Sequence, residues 1–177
     1  ENLEISEEEA KENAKMIALA AIKYGDLSNQ ASKDYIFDID RFTSFEGDTG
    51  PYVLYTIVRI KSILNKYEQT YGAQSLSVAD RMKDFVAPEG TSETDLCLLL
   101  TKFSEVIESA YTELAPHKIC KFIYDVANVF NSFYHDTKIL SEENEELKKS
   151  YISLLVLTKE ILEACIDMLG FSAPDRM

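Results

Sequence analysis

With 177 residues, 46% hydrophobic and 28% charged, the chain holds enough apolar material for one packed domain and too much for a disordered one. Its formal net charge of −13 excludes a uniformly basic coat for nucleic acid, because neutralising phosphates takes Lys and Arg. No apolar run reaches the ~18 residues needed to cross a bilayer, and nothing at the start reads as a secretion signal, so no membrane partner and a cytoplasmic location are expected.

Only 6 Gly and 4 Pro interrupt a sequence rich in Leu, Ile, Ala, Glu and Lys, which predicts a mostly helical protein. Ser6-Glu7-Glu8-Glu9 reads as a capping box. Ala10, Ala14, Ile17, Ala21 and Tyr24 follow at helical spacing, and Gly25 is the expected stop. Residues 26–50 are irregular. Within them 34–39 has strand propensity but no visible partner strand, and reads as extended chain leading into a short helix over 39–44. A second long helix begins at Pro51, where a missing N–H leaves nothing unpaired, runs to about residue 71, and stops at Gly72. Residues 72–91 form the longest soft stretch.

Ser92 with Asp95 is expected to cap a third helix, its core stripe running from Leu96 through Phe103 and Ile107 to Leu114. Pro116 opens a fourth, with Ile119, Phe122, Ile123, Val126, Phe130 and Phe133 inside. Ser141 is expected to cap a fifth, which carries Leu147, Tyr151, Leu154, Ile161 and Cys165 and stops at Gly170. The fold expected is an all-α bundle of about five main helices, a single domain over 1–177, with short links between antiparallel neighbours. Cys97, Cys120 and Cys165 are widely spaced inside apolar patterns, which points to buried free thiols in a reducing compartment.

Charge is unevenly spread. Glu1, Glu4, Glu7, Glu8, Glu9 and Glu12 crowd the start, and Glu142, Glu143, Glu145 and Glu146 form a second knot. Both read as solvated helix starts, where the dipole favours anions. Between residues 51 and 83 the balance reverses, with Arg59, Lys61, Lys66, Arg81 and Lys83 against only Glu68 and Asp80.

The common enzyme patterns fail. Gly47-Asp48-Thr49-Gly50 lacks the Lys-Ser or Lys-Thr of a nucleotide loop. Asp38-Ile39-Asp40 starts like a calcium loop, but Phe42 takes a ligand position and Thr49 stands where Glu is needed. His117 and His135 have no Cys or Glu at metal spacing, and a carboxylate-metal bundle would need Glu-x-x-His pairs that the chain lacks. The helix from Pro51 is more informative. At ~100° per residue, Tyr52, Tyr55, Arg59, Ser62 and Lys66 share roughly 80° of arc, with Val53, Ile57, Ile60 and Leu64 opposite. Rings and cations in one row suit single-stranded RNA. On pattern alone the plainer reading, two half-buried tyrosines beside a solvated basic edge, is favoured, and a protein-interaction face is a further reading.

Three segments carry a resemblance. Ala21-Ile-Lys-Tyr-Gly-Asp-Leu, then Asp34-Tyr-Ile-Phe-Asp-Ile-Asp-Arg-Phe, then Phe45-Glu-Gly-Asp-Thr-Gly-Pro-Tyr-Val-Leu-Tyr-Thr-Ile-Val-Arg-Ile resemble arginyl-tRNA synthetases just after their catalytic domain. The stretch 122–134 and the end Met168-Leu-Gly-Phe, with Pro174-Asp-Arg-Met, fit the same family in order. The resemblance implies an all-helical anticodon-binding domain of the DALR type. Its partner would be tRNA(Arg), with no DNA and no cofactor of its own, as a monomer. The family's ATP-binding signatures are absent and the chain begins with Glu1, so a piece of a longer enzyme is expected, inactive alone, with ATP and magnesium handled elsewhere. Carried over by position, Gly47, Asp48, Thr49 and Gly50 form the turn, which Gly47 and Gly50 shape. Tyr52 and Tyr55 would pack on anticodon bases, and Arg59 would serve phosphate or structure. Tyr134 and Met177 would help close the base pocket, Met177 through its carboxylate, and Arg176 would belong to the same anticodon-binding set. Tyr151-Ile-Ser-Leu154 departs from the family's usual Arg-Leu-x-Leu.

Overall fold

Helix ends in this chain are set by a few side-chain caps and glycines, and these decide where each apolar stripe begins to pack. The computed structural model describes residues 5–72 and 77–177; Glu1 and Glu4 lie outside the described residues. Helix α1 (Glu7–Leu27) starts beneath Ser6, whose Oγ accepts the Glu9 N–H at 3.2 Å. Gly25 does not stop it. The helix runs on to Leu27, and Gly25 is there for packing, because a Cβ would meet the Phe42 ring at 2.4 Å. Phe42 closes α2 (Ile39–Phe42), which lies on α1 at that point. The chain before α2 has no regular secondary structure, with Asp38 in an extended conformation and Ile36 87% exposed.

Helix α3 (Gly50–Tyr71) is capped by Thr49 and ended by Gly72 at φ 84°, where L side chains are disfavoured. The stretch expected to be soft lies outside the described residues at 73–76, and beyond them it forms a short helix, α4 (Val78–Arg81), continued by a 3-10 turn at Met82–Asp84. A four-residue helix is too brief to reveal a 3.6-residue period.

The expected third helix is two. α5 (Thr91–Leu100) and α6 (Phe103–Thr112) are separated at Thr101 and Lys102, where the Lys102 N–H bonds the Leu99 carbonyl, three residues back. The cap is Gly90 rather than Ser92, and the side chain reaching back is Glu93, whose Oε2 accepts the Glu89 and Gly90 N–H groups at 3.2 and 3.5 Å. Helix α7 (His117–Asp136) follows Pro116. Helix α8 (Glu145–Met168) is capped by Asn144, not Ser141: Asn144 Oδ1 accepts the Glu146 and Leu147 N–H groups at 3.0 and 3.3 Å. Gly170, at φ 80°, then lets the Phe171 N–H close on the Ile166 carbonyl at 3.1 Å.

Helix α3 packs against α1, α7 and α8, and α7 packs against α5 and α6. The middle of α8 is buried all round, with Ile152, Leu154, Leu155 and Val156 at most 1% exposed. Two of its buried hydroxyls bond within the helix, Ser153 Oγ to the Lys149 carbonyl at 2.8 Å and Thr158 Oγ1 to that of Leu154 at 2.7 Å, and a third, Ser150 Oγ, accepts the Val86 N–H at 3.2 Å. Cys120 and Cys165 are buried free thiols, and Cys97 is half-buried. No described helix is long and apolar enough to cross a membrane.

Candidate nucleic-acid interface

The first turn of α3 is tied down before any side chain of its outer row is presented. Thr49 Oγ1 accepts the Tyr52 N–H at 3.2 Å and donates to the Ser44 carbonyl at 2.7 Å. Gly50 sits so close to α1 that a Cβ would stand 2.3 Å from the Ala20 carbonyl oxygen. Gly47, at φ 80°, supplies the reversal and has open space around it. Asp48 is bound to the buried Tyr24 hydroxyl, which also lies 2.9 Å from the Cys120 carbonyl and can give its one proton to only one of them at a time. Burial first, and the Asp48 carboxylate second, push the Tyr24 pKa far above its ordinary value. The polar groups of Asp48 and Thr49 are thus spent on holding the turn, and Gly47 and Gly50 shape it.

The outer row itself is split by α7. The Tyr52 hydroxyl donates to Asn128 Oδ1 at 2.8 Å and accepts from Asn131 Nδ2 at 2.8 Å, and its ring lies 5.9 Å from that of Tyr124. Tyr52 is therefore half-buried and committed to α7. Tyr55 is 42% exposed, one turn further on. Arg59 donates to Asn131 Oδ1 at 2.7 Å and to the Tyr55 hydroxyl at 2.9 Å. Its guanidinium carbon lies 4.6 Å from the Tyr55 ring centre and 5.1 Å from that of Tyr134. Tyr134, 38% exposed, comes from the last turn of α7. The structure thus brings Tyr55, Arg59 and Tyr134 together as ring, cation and ring, with Tyr52 behind them.

Tyr55 also borders an apolar pocket of about 440 Å³, lined by Ile5, Ala10, Ala14, Ile17, Phe45 and Met177. Met177 reaches it because the last residues are strapped from two sides. Arg176 Nε and Nη2 both bind the Glu9 carboxylate, and Asn13 Nδ2 donates to the Arg176 carbonyl at 2.8 Å. Lys61 Nζ donates to the Ala173 and Pro174 carbonyls at 3.4 and 3.3 Å and pairs with Asp175 at 3.1 Å. The Arg176 hydrogen bond holds the Glu9 carboxyl below its usual range. Arg176 therefore acts on the tail through α1, and its guanidinium is already matched by a carboxylate.

Asn128, Asn131, Glu9 and Asn13 are absent from the sequence-based list. Asn128 and Asn131 left a faint trace, two amides three apart on one face of α7. Glu9 left none, because its partner is at the other end of the chain.

A protein-family model described as the DALR anticodon binding domain matches residues 53–177. An arginine–tRNA ligase of Agathobacter rectalis is 72% identical over 178 residues, covering 100% of this chain and 29% of that protein. One of Alkaliphilus oremlandii is 50% identical over 177 residues, again 29% of its length. Among solved structures, the arginyl-tRNA synthetase of Thermus thermophilus superposes with a TM-score of 0.83 at 30% identity, over 99% of this chain and 29% of that one. The Plasmodium falciparum arginyl-tRNA synthetase gives 0.78 at 30%, over 93% and 28%. The chain thus spans less than a third of the length of these relatives. With its all-helical architecture, the tail-closed tyrosine site and a family match over most of its residues, the chain belongs to the DALR anticodon-binding domain family.

Proposed function

We propose that the chain grips the anticodon loop of a tRNA, and of arginine-accepting tRNA in particular. Tyr55 and Tyr134 serve as stacking rings and Arg59 as the cation between them. The observation that carries this reading is the ring–guanidinium–ring array on the open side of α3, whose other side is core. Unstacked bases gain ~1–3 kcal/mol each on such rings, whatever their identity. Tyr52 and Asn131 act as positioning residues, holding the guanidinium plane in register. The pocket beside Met177 offers an apolar recess next to Tyr55 for one splayed base.

In this reading the chain works as the RNA-holding end of a longer arginine–tRNA ligase. ATP, magnesium and arginine are handled by the rest of that enzyme, and this end sets where the acceptor strand falls. It acts as a monomer in the cytoplasm and binds no DNA. Titrating arginine-accepting tRNA onto the full-length protein tests the assignment. Tyr55→Ala and Tyr134→Ala are each expected to weaken binding about tenfold, which is within the energy of one stacked base. Unchanged affinity in both variants, or binding insensitive to salt, would refute it and favour a protein partner on this face.

A further inference from the structure

We propose that the groove continuing from Arg59 along α3 to the 137–141 connector is a phosphate track for RNA, with Lys66 and Lys138 as its binding residues. The inference rests on the RNA reading above and extends it from bases to backbone. The groove, about 700 Å³, lies between the middle of α3, the end of α7 and the connector into α8. Arg59, Lys66 and Lys138 line it, with His135 beside them, and no described Asp or Glu does. In a chain with 31 acidic residues against 18 Lys and Arg, a large concave face free of carboxylates is the reverse of what the composition would produce. Glu142, next to the groove in sequence, turns its carboxylate to the Asn144 N–H at 2.9 Å and so serves the α8 cap.

Lys61, Lys118, Lys148 and Lys159 each sit on a carboxylate. Among the described residues neither Lys66 nor Lys138 is neutralised by a carboxylate of the chain, a state shared with Lys23, Lys33, Lys102 and Lys149. What sets these two apart is that they line one groove with Arg59. Arg59 is held by Asn131 and Tyr55, which leaves the lysines as the cations of the groove not committed to a carboxylate. Thr137 and Ser141 add hydroxyls, and Ile63 and Ile139 form an apolar floor. At ~1.5 Å of rise per residue, Arg59 and Lys66 stand about 10 Å apart along α3, the span of about three nucleotides stacked at ~3.4 Å in one strand. Cations strung out over that length suit a polyanion lying along the groove; a single phosphate would be held by cations that converge on one point. The strand that leaves the Tyr55–Tyr134 rings is the polyanion in reach.

The test uses the full-length protein and a short anticodon stem–loop RNA, with a scrambled-loop hairpin as reference. In Lys66→Ala/Lys138→Ala, the slope of log affinity against log salt should fall by about 1.5, so that the deficit is about eightfold larger at ~50 mM than at ~200 mM salt. Both hairpins should lose affinity by the same factor, and Lys66→Arg/Lys138→Arg should restore the slope. An unchanged slope in the double alanine variant, with Tyr55→Ala still weakening binding, overturns the track and leaves the stacking reading standing. Absence of salt-dependent RNA binding by the unmodified protein overturns both. Both lysines are exposed, so thermal melting of the variants should match that of the parent and rule out misfolding.

Discussion

Leu114 is the residue whose backbone is least suited to its side chain. It has φ 52°, in the left-handed region, with its side chain 81% exposed. The reason is the α6 C-terminus: the Ala115 N–H closes on the Ala110 carbonyl at 2.8 Å and the Leu114 N–H on that of Tyr111 at 3.3 Å, the pattern that normally places glycine at this point. An L residue there costs ~1–2 kcal/mol. Leu114→Gly should therefore stabilise the protein by about 1 kcal/mol, since almost no buried contact is lost and the gain in unfolded-chain entropy is the smaller term. Urea unfolding monitored by circular dichroism reads the change; a loss of stability would show that the side chain packs in some way that its exposure hides. The two tyrosines of the outer row also differ. One hydroxyl of the pair has both its partners on α7, and the other ring is left facing solvent.

Among the elements, the last seven residues depend on α1 and α3 for their position. The acidic start of α1 is mostly what its composition suggests. Glu7 pairs with Lys11 and Glu12 with Lys15 on the surface, contacts that contribute little. Glu9 differs because it faces Arg176. Its pKa in the folded chain is lowered, chiefly by that hydrogen bond. A depressed carboxyl pKa means that the contact is at full strength above the ordinary glutamate value of 4.5 and is lost as pH falls through the lower, folded-state value. Hydrogen exchange over residues 171–177, corrected for intrinsic rates, should be flat from about pH 7 to about pH 5 and accelerate below that window. Glu9→Gln at neutral pH should reproduce the acid behaviour. Equal protection in the two proteins at neutral pH would mean that Lys61 and Asn13 hold the tail without the ion pair.

For the molecule as a whole, the three thiols report on how complete the core is. Burial pushes Cys120 and Cys165 up to about 12, and burial with the Glu93 charge pushes Cys97 up to about 11. The reactive thiolate is therefore scarce at every site near pH 8. A thiol reagent at that pH should label Cys97 first, and Cys120 and Cys165 only as fast as the bundle opens, with all three reacting at once in denaturant. Prompt labelling of Cys165 in the native state would contradict the sealed interior around α8.

Sequence alone determined the long helices, because their apolar stripes repeat for many turns; it also placed the stops of α3 and α8 at Gly72 and Gly170, where φ is positive, but not that of α1, where Gly25 serves packing against Phe42. It also determined that Tyr52, Tyr55 and Arg59 share one face of α3, since that follows from helical angle. The caps at Gly90 and Asn144 were not legible, because several capping residues lie within one turn and only the backbone selects among them. The break between α5 and α6 was hidden for a similar reason, as three- and four-residue spacings carry the stripe across it. Which ring of the row meets solvent was decided by tertiary structure alone: an angle around one helix does not say which neighbour covers part of that face. Here α7 covers Tyr52 and delivers Tyr134, and a tail from the far end of the chain closes the other side of Tyr55.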